Sequence, residues 1–171
     1  MTILDFIHHF TPGKIADSRV LLLLHGTGGD ESDLLPLGRE IDPEAALLSP
    51  RGKILENGAP RFFRRFAEGV FDEEDVVRRA QELADFVVAA AVEYGFEIGK
   101  VTAVGFSNGA NIAAAVLLLR PEVFQRAILF RSMGPLTQVP SDSRLEGRDV
   151  LSSACSADPI IPHGDGQQLA D

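Results

Sequence analysis

The segment Val101-Thr102-Ala103-Val104-Gly105-Phe106-Ser107-Asn108-Gly109-Ala110-Asn111 decides how this chain is read. Val101 to Val104 is a short apolar run of the kind that forms a buried strand, and Asn111 to Leu119 reads as a helix. Between them stands Gly105-Phe106-Ser107-Asn108-Gly109, a Gly-x-Ser-x-Gly at a strand-to-helix junction. Such a junction turns so tightly that its serine is pushed out above the sheet. Gly105 and Gly109 suit that geometry because the strained serine backbone leaves no room for a Cβ on either side. An ordinary Gly-rich turn would also accept the pentapeptide, but it would not require a strand before and a helix after. Ser107 is therefore expected to be a nucleophile.

On the N-terminal side, Met1 to Phe10 has the mixed pattern of an edge strand, closed by Pro12-Gly13. Val20 to Leu24 is continuously apolar, the mark of a strand buried on both faces of an α/β sheet. Asp30 or Ser32 is expected to cap a short helix reaching about Glu40, with Leu34, Leu35 and Leu37 facing inward. Ala45 to Leu48 reads as a further strand, followed by an irregular segment from Lys53 to Phe71. The acids of Asp72 to Asp75 open a long helix to about Tyr94, in which Val76, Val77, Ala80, Leu83, Ala84 and Val87 recur at helical spacing. Gly95 stops it. Beyond the pentapeptide, Ala127 to Phe130 and Val150 to Ala154 read as strands, separated by a polar turn region from Val139 to Arg148. Strands alternate with helices throughout, so the expected architecture is one α/β domain with a mostly parallel sheet covered on both faces.

With 171 residues, the chain is long enough to bury a proper core. Its 45% hydrophobic and 24% charged residues are ordinary for a soluble globular protein, and no apolar run reaches the length of a membrane span. A net charge of −9 argues against nucleic acid as a partner, because phosphate contacts need clustered Lys and Arg. The single cysteine, Cys155, excludes an internal disulfide and a multi-cysteine metal site. With no basic-then-apolar leader at Met1 to Phe10, a cytoplasmic location is expected.

A serine nucleophile needs a base, an acid to orient it and donors for the oxyanion. Asp158, in Ala157-Asp158-Pro159-Ile160 just past a strand, fits the acid, although Asp-Pro is also a common turn. The oxyanion donors expected are the backbone N–H of Asn108 and, in His25-Gly26-Thr27-Gly28, that of Thr27. A phosphate loop is the competing reading of those glycines. It lacks the Gly-Lys-Ser/Thr ending, and Asp30 and Glu31 would repel phosphate. Of the four histidines, His25 is expected to brace the oxyanion loop, while His8 and His9 read as a solvated edge. His163 has the right chain order for the base but lies only five residues after Asp158 in the same loop. The expected base therefore lies beyond residue 171, with His163 as the alternative. Phe62, Phe63, Phe66 and Phe71 could line an acyl or aromatic pocket, and Arg61, Arg64 and Arg65 could meet an anion; equally, the aromatics could pack their own loop while the arginines pair with Glu68, Asp72 and Glu73. Met133 follows a strand and either touches substrate or fills core.

Taken together, these stretches resemble the phospholipase/carboxylesterase branch of the α/β-hydrolase superfamily, which includes acyl-protein thioesterase-like and hydroquinone-associated esterases. The matching stretches are Leu-Leu-His-Gly-Thr-Gly-Gly-Asp (23–30), Ser-Pro-Arg-Gly (49–52), Gly-Phe-Ser-Asn-Gly (105–109) and Ala-Asp-Pro-Ile-Ile-Pro (157–162). Phe-Phe-Arg-Arg (62–65) and Phe-Asp-Glu-Glu-Asp (71–75) are similar to a bacterial esterase subgroup. The resemblance implies Ser107 as nucleophile, Asp158 as triad acid, and Thr27 and Asn108 as oxyanion donors. It also implies a further helix and strand leading to a Gly-His that carries the base. Against that pattern the end of this chain reads as clipped, and the strand at Val150 to Ala154 would be left as a bare edge favouring a homodimer. The expected activity is cleavage of a carboxylic ester or thioester through an acyl-enzyme, with no metal and no cofactor. The alternative is a catalytically silent domain that binds a small acyl or aromatic ligand or a protein partner.

Overall fold

The computed structural model describes residues 4–139 and 146–153. An edge strand β1 (His8–Thr11) precedes β2 (Val20–Leu24), all five of whose residues are buried. Alternate side chains of β2 point to opposite faces: Leu21 and Leu23 join one apolar cluster, and Val20, Leu22 and Leu24 join another. Full burial of one such leucine stabilises the fold by about 1.5–3 kcal/mol, so a continuous apolar run settles only where both faces are covered. The short helix α1 (Leu35–Ile41) covers one face, packing Leu34, Leu35 and Leu37 against Leu21, Leu23 and Leu47. Its cap is Leu34, which supplies no side-chain bond; the Asp30 carboxylate instead accepts from the Ser32 N–H, forming a turn just ahead of the helix.

Strand β3 (Ala46–Pro50) follows. The segment expected to be irregular then folds as two hairpins: β4 (Ile54–Glu56) with β5 (Ala59–Arg61), and β6 (Arg65–Ala67) with β7 (Val70–Phe71). Asn57 and Gly58 make the first turn with φ of 51° and 83°, the two left-handed residues that a tight hairpin requires. Helix α2 (Glu73–Tyr94) begins where Asp72 accepts from the Asp75 N–H and ends at Gly95, whose φ is 71°. It buries Val76, Ala80, Leu83, Ala84, Phe86 and Val87, whereas Val77 faces solvent. After a 3-10 turn at Ile98–Lys100 come β8 (Val101–Phe106), α3 (Asn108–Leu119), β9 (Arg126–Phe130) and β10 (Asp149–Ser153).

The central sheet has the order β1-β3-β2-β8-β9-β10, parallel except for β1 against β3. Parallel pairing brings the C-terminal ends of β2, β3, β8, β9 and β10 to one edge, the edge where ligands bind in open α/β sheets. His8 is not the solvated residue expected. It is half-buried against Phe86, and its Nδ1–H donates to the Phe6 carbonyl at 2.7 Å while Nε2 accepts from the Tyr94 hydroxyl at 2.7 Å. Among the described residues, no helix is long and apolar enough to cross a membrane.

Candidate active site

Ser107 stands alone between β8 and α3 with φ 51° and ψ −112°, a conformation that costs a non-glycine residue of order 1–3 kcal/mol. The surroundings hold it there. Its N–H donates to the Phe130 carbonyl on β9 at 2.8 Å, and its carbonyl accepts the first intrahelical bond from Asn111. A Cβ on Gly109 would lie 1.9 Å from the Leu24 carbonyl oxygen, and one on Gly105 would lie 2.6 Å from the backbone of Ala110. The two glycines thus let α3 press against the ends of β2 and β8. The Ser107 hydroxyl caps no amide of α3, although serine is a favoured cap at that position. It stays half-exposed at the sheet edge, at the positive end of a buried helix.

Beside it lies the loop that follows β2. Leu24 pairs with Gly105, and Gly26 approaches Phe106 closely enough that a Cβ on Gly26 would meet the Phe106 ring at 2.9 Å. His25 is buried and braces this loop from within. The Gly52 N–H donates to His25 Nε2 at 2.9 Å, so the ring proton sits on Nδ1 and donates to the Gly26 carbonyl at 2.7 Å. Burial lowers the pKa of the imidazole, against the opposing pull of the Gly26 carbonyl, and it stays neutral. Thr27 is exposed at the tip, and its hydroxyl accepts from Arg61 Nη1 at 2.6 Å. The backbone N–H groups of Thr27 and Asn108 are not consumed by any bond within the fold among the described residues.

No protein-family model matches the chain. It is 49% identical over 156 residues to "Putative hydrolase MhqD" of Bacillus subtilis (strain 168), which covers 91% of this chain and 78% of that protein. The crystal structure of the Bacillus cereus carboxylesterase superposes with a TM-score of 0.93 at 46% identity, over 97% of this chain and 78% of that one. A carboxylesterase from Mesorhizobium loti superposes with a TM-score of 0.84 at 34% identity, over 89% of this chain and 72% of that one. The chain belongs to this family of α/β-hydrolase-fold esterases.

Within the esterase fold, the first turn of α3 does a second job that local sequence patterns did not reveal. Asn108 Oδ1 accepts from the Phe62 N–H at 2.7 Å, and Asn111 Oδ1 accepts from the Met133 N–H at 2.7 Å. Spaced three apart on one helix face, the two amides fasten the segment after β5 and the loop after β9 to the elbow. Asn108 Nδ2 is buried without a partner among the described residues, a donor next to Ser107 in sequence. Of the two readings of these aromatics, Phe62 and Phe63 follow the packing one: they are 2% and 0% exposed, with Phe62 tilted against His25 and Phe63 edge-on to Phe71. Met133 is buried as well, its Cε near Gly69 at the tip of the β6–β7 hairpin. Arg64, whose side chain is half-exposed, lies 3.1 Å from Asp72 and 3.8 Å from Asp75. Phe66 is the exposed aromatic of the group, at 76%. Asp158, His163 and Cys155 lie outside the described residues.

A concavity of about 830 Å³ opens at the other end of the strands, between Arg19, Pro43, Arg126 and Asp149. It holds none of the groups at the elbow.

Proposed function

We propose that this chain is a serine hydrolase that cleaves a carboxylic ester or thioester through an acyl-enzyme. The strained, half-exposed Ser107 at the N-terminus of α3 carries the proposal, because a fold holds such a conformation only where the surroundings enforce it. In the proposed cycle Ser107 Oγ attacks the carbonyl carbon and passes its proton to a base. The tetrahedral oxyanion accepts from the Thr27 and Asn108 N–H groups, and its collapse expels the alcohol or thiol with the proton returned. Water, deprotonated by the same base, then releases the acid from Ser107.

Asp158 is the proposed acid, positioned past the end of β10 in chain order. The base is not supplied by the described histidines. Both nitrogens of His25 are engaged, and His8 and His9 lie on β1, separated from β8 by β3 and β2. His163 is the fourth histidine of the chain; a histidine outside these residues is the other source. We take the chain to act as one cytoplasmic domain, pairing as a homodimer along β10, where Val150 and Leu151 are exposed. The charge of −9 disfavours a nucleic-acid partner.

The test is labelling by a fluorophosphonate probe together with p-nitrophenyl acetate turnover, for the wild type, Ser107→Ala and His163→Gln. Labelling and turnover should vanish in Ser107→Ala. A wild type that neither labels nor turns over would favour the silent-domain alternative. Loss of turnover in His163→Gln would assign the base to this chain, and unchanged turnover would place it elsewhere.

A further inference from the structure

Arg61 is 2% exposed, and a buried guanidinium is costly unless its surroundings use it. Its Nε donates to the Phe63 carbonyl at 3.1 Å and its Nη1 to the Thr27 hydroxyl at 2.6 Å. Among the described residues the nearest carboxylate is that of Glu56, 3.7 Å away, and Glu56 is already gripped by both Nε and Nη2 of Arg65. The guanidinium is therefore a cation only partly neutralised, held against the loop that carries one of the two proposed oxyanion donors.

Its chain neighbours complete the arrangement. The Pro60 carbonyl accepts from the Gly28 N–H at 3.0 Å, one residue past Thr27, and the Phe62 N–H donates to Asn108 Oδ1 at 2.7 Å. From behind, Gly52 abuts the Arg61 backbone so closely that a Cβ there would lie 2.3 Å from it, and the same Gly52 donates to His25. One tripeptide, Pro60-Arg61-Phe62, thus ties the Thr27 loop and the start of α3 to each other.

We propose that Arg61 is a positioning residue for ester hydrolysis, fixing the Thr27 N–H relative to that of Asn108 and keeping a positive charge behind the oxygen that becomes negative. The inference rests on the serine-hydrolase reading of Ser107. A donor aimed at developing charge acts on the transition state rather than on substrate binding. Removing the charge should therefore lower kcat and leave KM nearly unchanged. Stability should fall only modestly, because Glu56 keeps Arg65 as its partner and no buried charge is stranded, the loss being the bonds to the Phe63 carbonyl and the Thr27 hydroxyl.

The experiment compares wild type, Ser107→Ala, Arg61→Met, Arg61→Lys, Thr27→Val and the Arg61→Met/Thr27→Val pair, by p-nitrophenyl acetate kinetics and thermal melting. Expected are a tenfold to hundredfold loss of kcat in Arg61→Met, on the order of what small misplacements of catalytic groups cost, with KM within about twofold and Tm only modestly lowered. Arg61→Lys should recover part of the loss, and the pair should be no worse than its poorer single variant, since both remove one contact. Turnover that does not depend on Ser107 would overturn the hydrolase reading and this inference with it. Ser107-dependent turnover with Arg61→Met unchanged in kcat, or altered only in KM, would overturn the role of Arg61 alone. If Arg61→Met does not fold, Thr27→Val decides: a kcat loss at constant KM supports the role, and an unchanged kcat overturns it.

Discussion

Gly109 is the most crowded glycine among the described residues. A methyl group there would sit 1.9 Å from the Leu24 carbonyl oxygen and 2.6 Å from that of His25, both rigid backbone. Relief would require α3 to lift from β2, carrying Ser107 and Asn108 with it. Gly109→Ala should therefore cost at least about 3 kcal/mol, the upper range for overpacking, and should abolish fluorophosphonate labelling even where the protein stays folded. Gly28 is the contrast, since its φ of 88° strains an L-residue but nothing lies within 4 Å of an added Cβ. Gly28→Ala should cost only about 1–2 kcal/mol, the penalty of the left-handed backbone. Urea unfolding of the two variants separates crowding from backbone strain, and equal losses would contradict the distinction. The Ser107 turn was legible because one pentapeptide encodes it locally. The bonds of Asn108 and Asn111 were not, because they reach partners 46 and 22 residues away and leave no local pattern.

The elements divide by the range of the signal that makes them. Helix α2 was readable at both ends, from Asp72 as cap and Gly95 as stop, because each acts within one turn. Strand β2 was readable because five apolar residues in a row need two covered faces. The two hairpins between β3 and α2 were missed, since strands of two or three residues have no measurable period; Asn57-Gly58 was the signal that could have found the first. Within α2, Asp75 is a buried carboxylate in the first turn. Burial pushes its pKa up, but the Arg64 N–H at 2.8 Å, the Arg78 hydrogen bond and the charge of Arg79 outweigh that and hold it below the usual aspartate value. A carboxylate depressed on folding contributes stability that is complete above its unfolded pKa of about 3.9 and is lost as pH falls through the lower folded value. The wild type should thus lose stability below about pH 4 more steeply than Asp75→Asn, and parallel urea midpoints for the two between pH 5 and 2 would exclude the effect.

For the molecule as a whole, sheet order is what the sequence left open, since parallel strands give no local cue to their neighbours. The observed order places β2 and β8, which carry the proposed oxyanion loop and Ser107, side by side at the centre, with β1 at one edge. This places the strained residue on the part of the fold least able to open. Ser107 hydrogen-bonds to β9, α3 packs on β2, and the apolar clusters on both faces share these strands. Strain at Ser107 persists only while that centre is intact, so local opening near the site should coincide with global unfolding rather than precede it. Native-state hydrogen exchange in low urea tests this directly. The amides of Leu22, Leu23, Ala103 and Val104 should open with the free energy and urea dependence of complete unfolding. Those of β1 should exchange through smaller openings, because β1 has a strand on only one side among the described residues. If β2 and β8 exchanged as readily as β1, the sheet centre could not be what holds Ser107 in its strained turn.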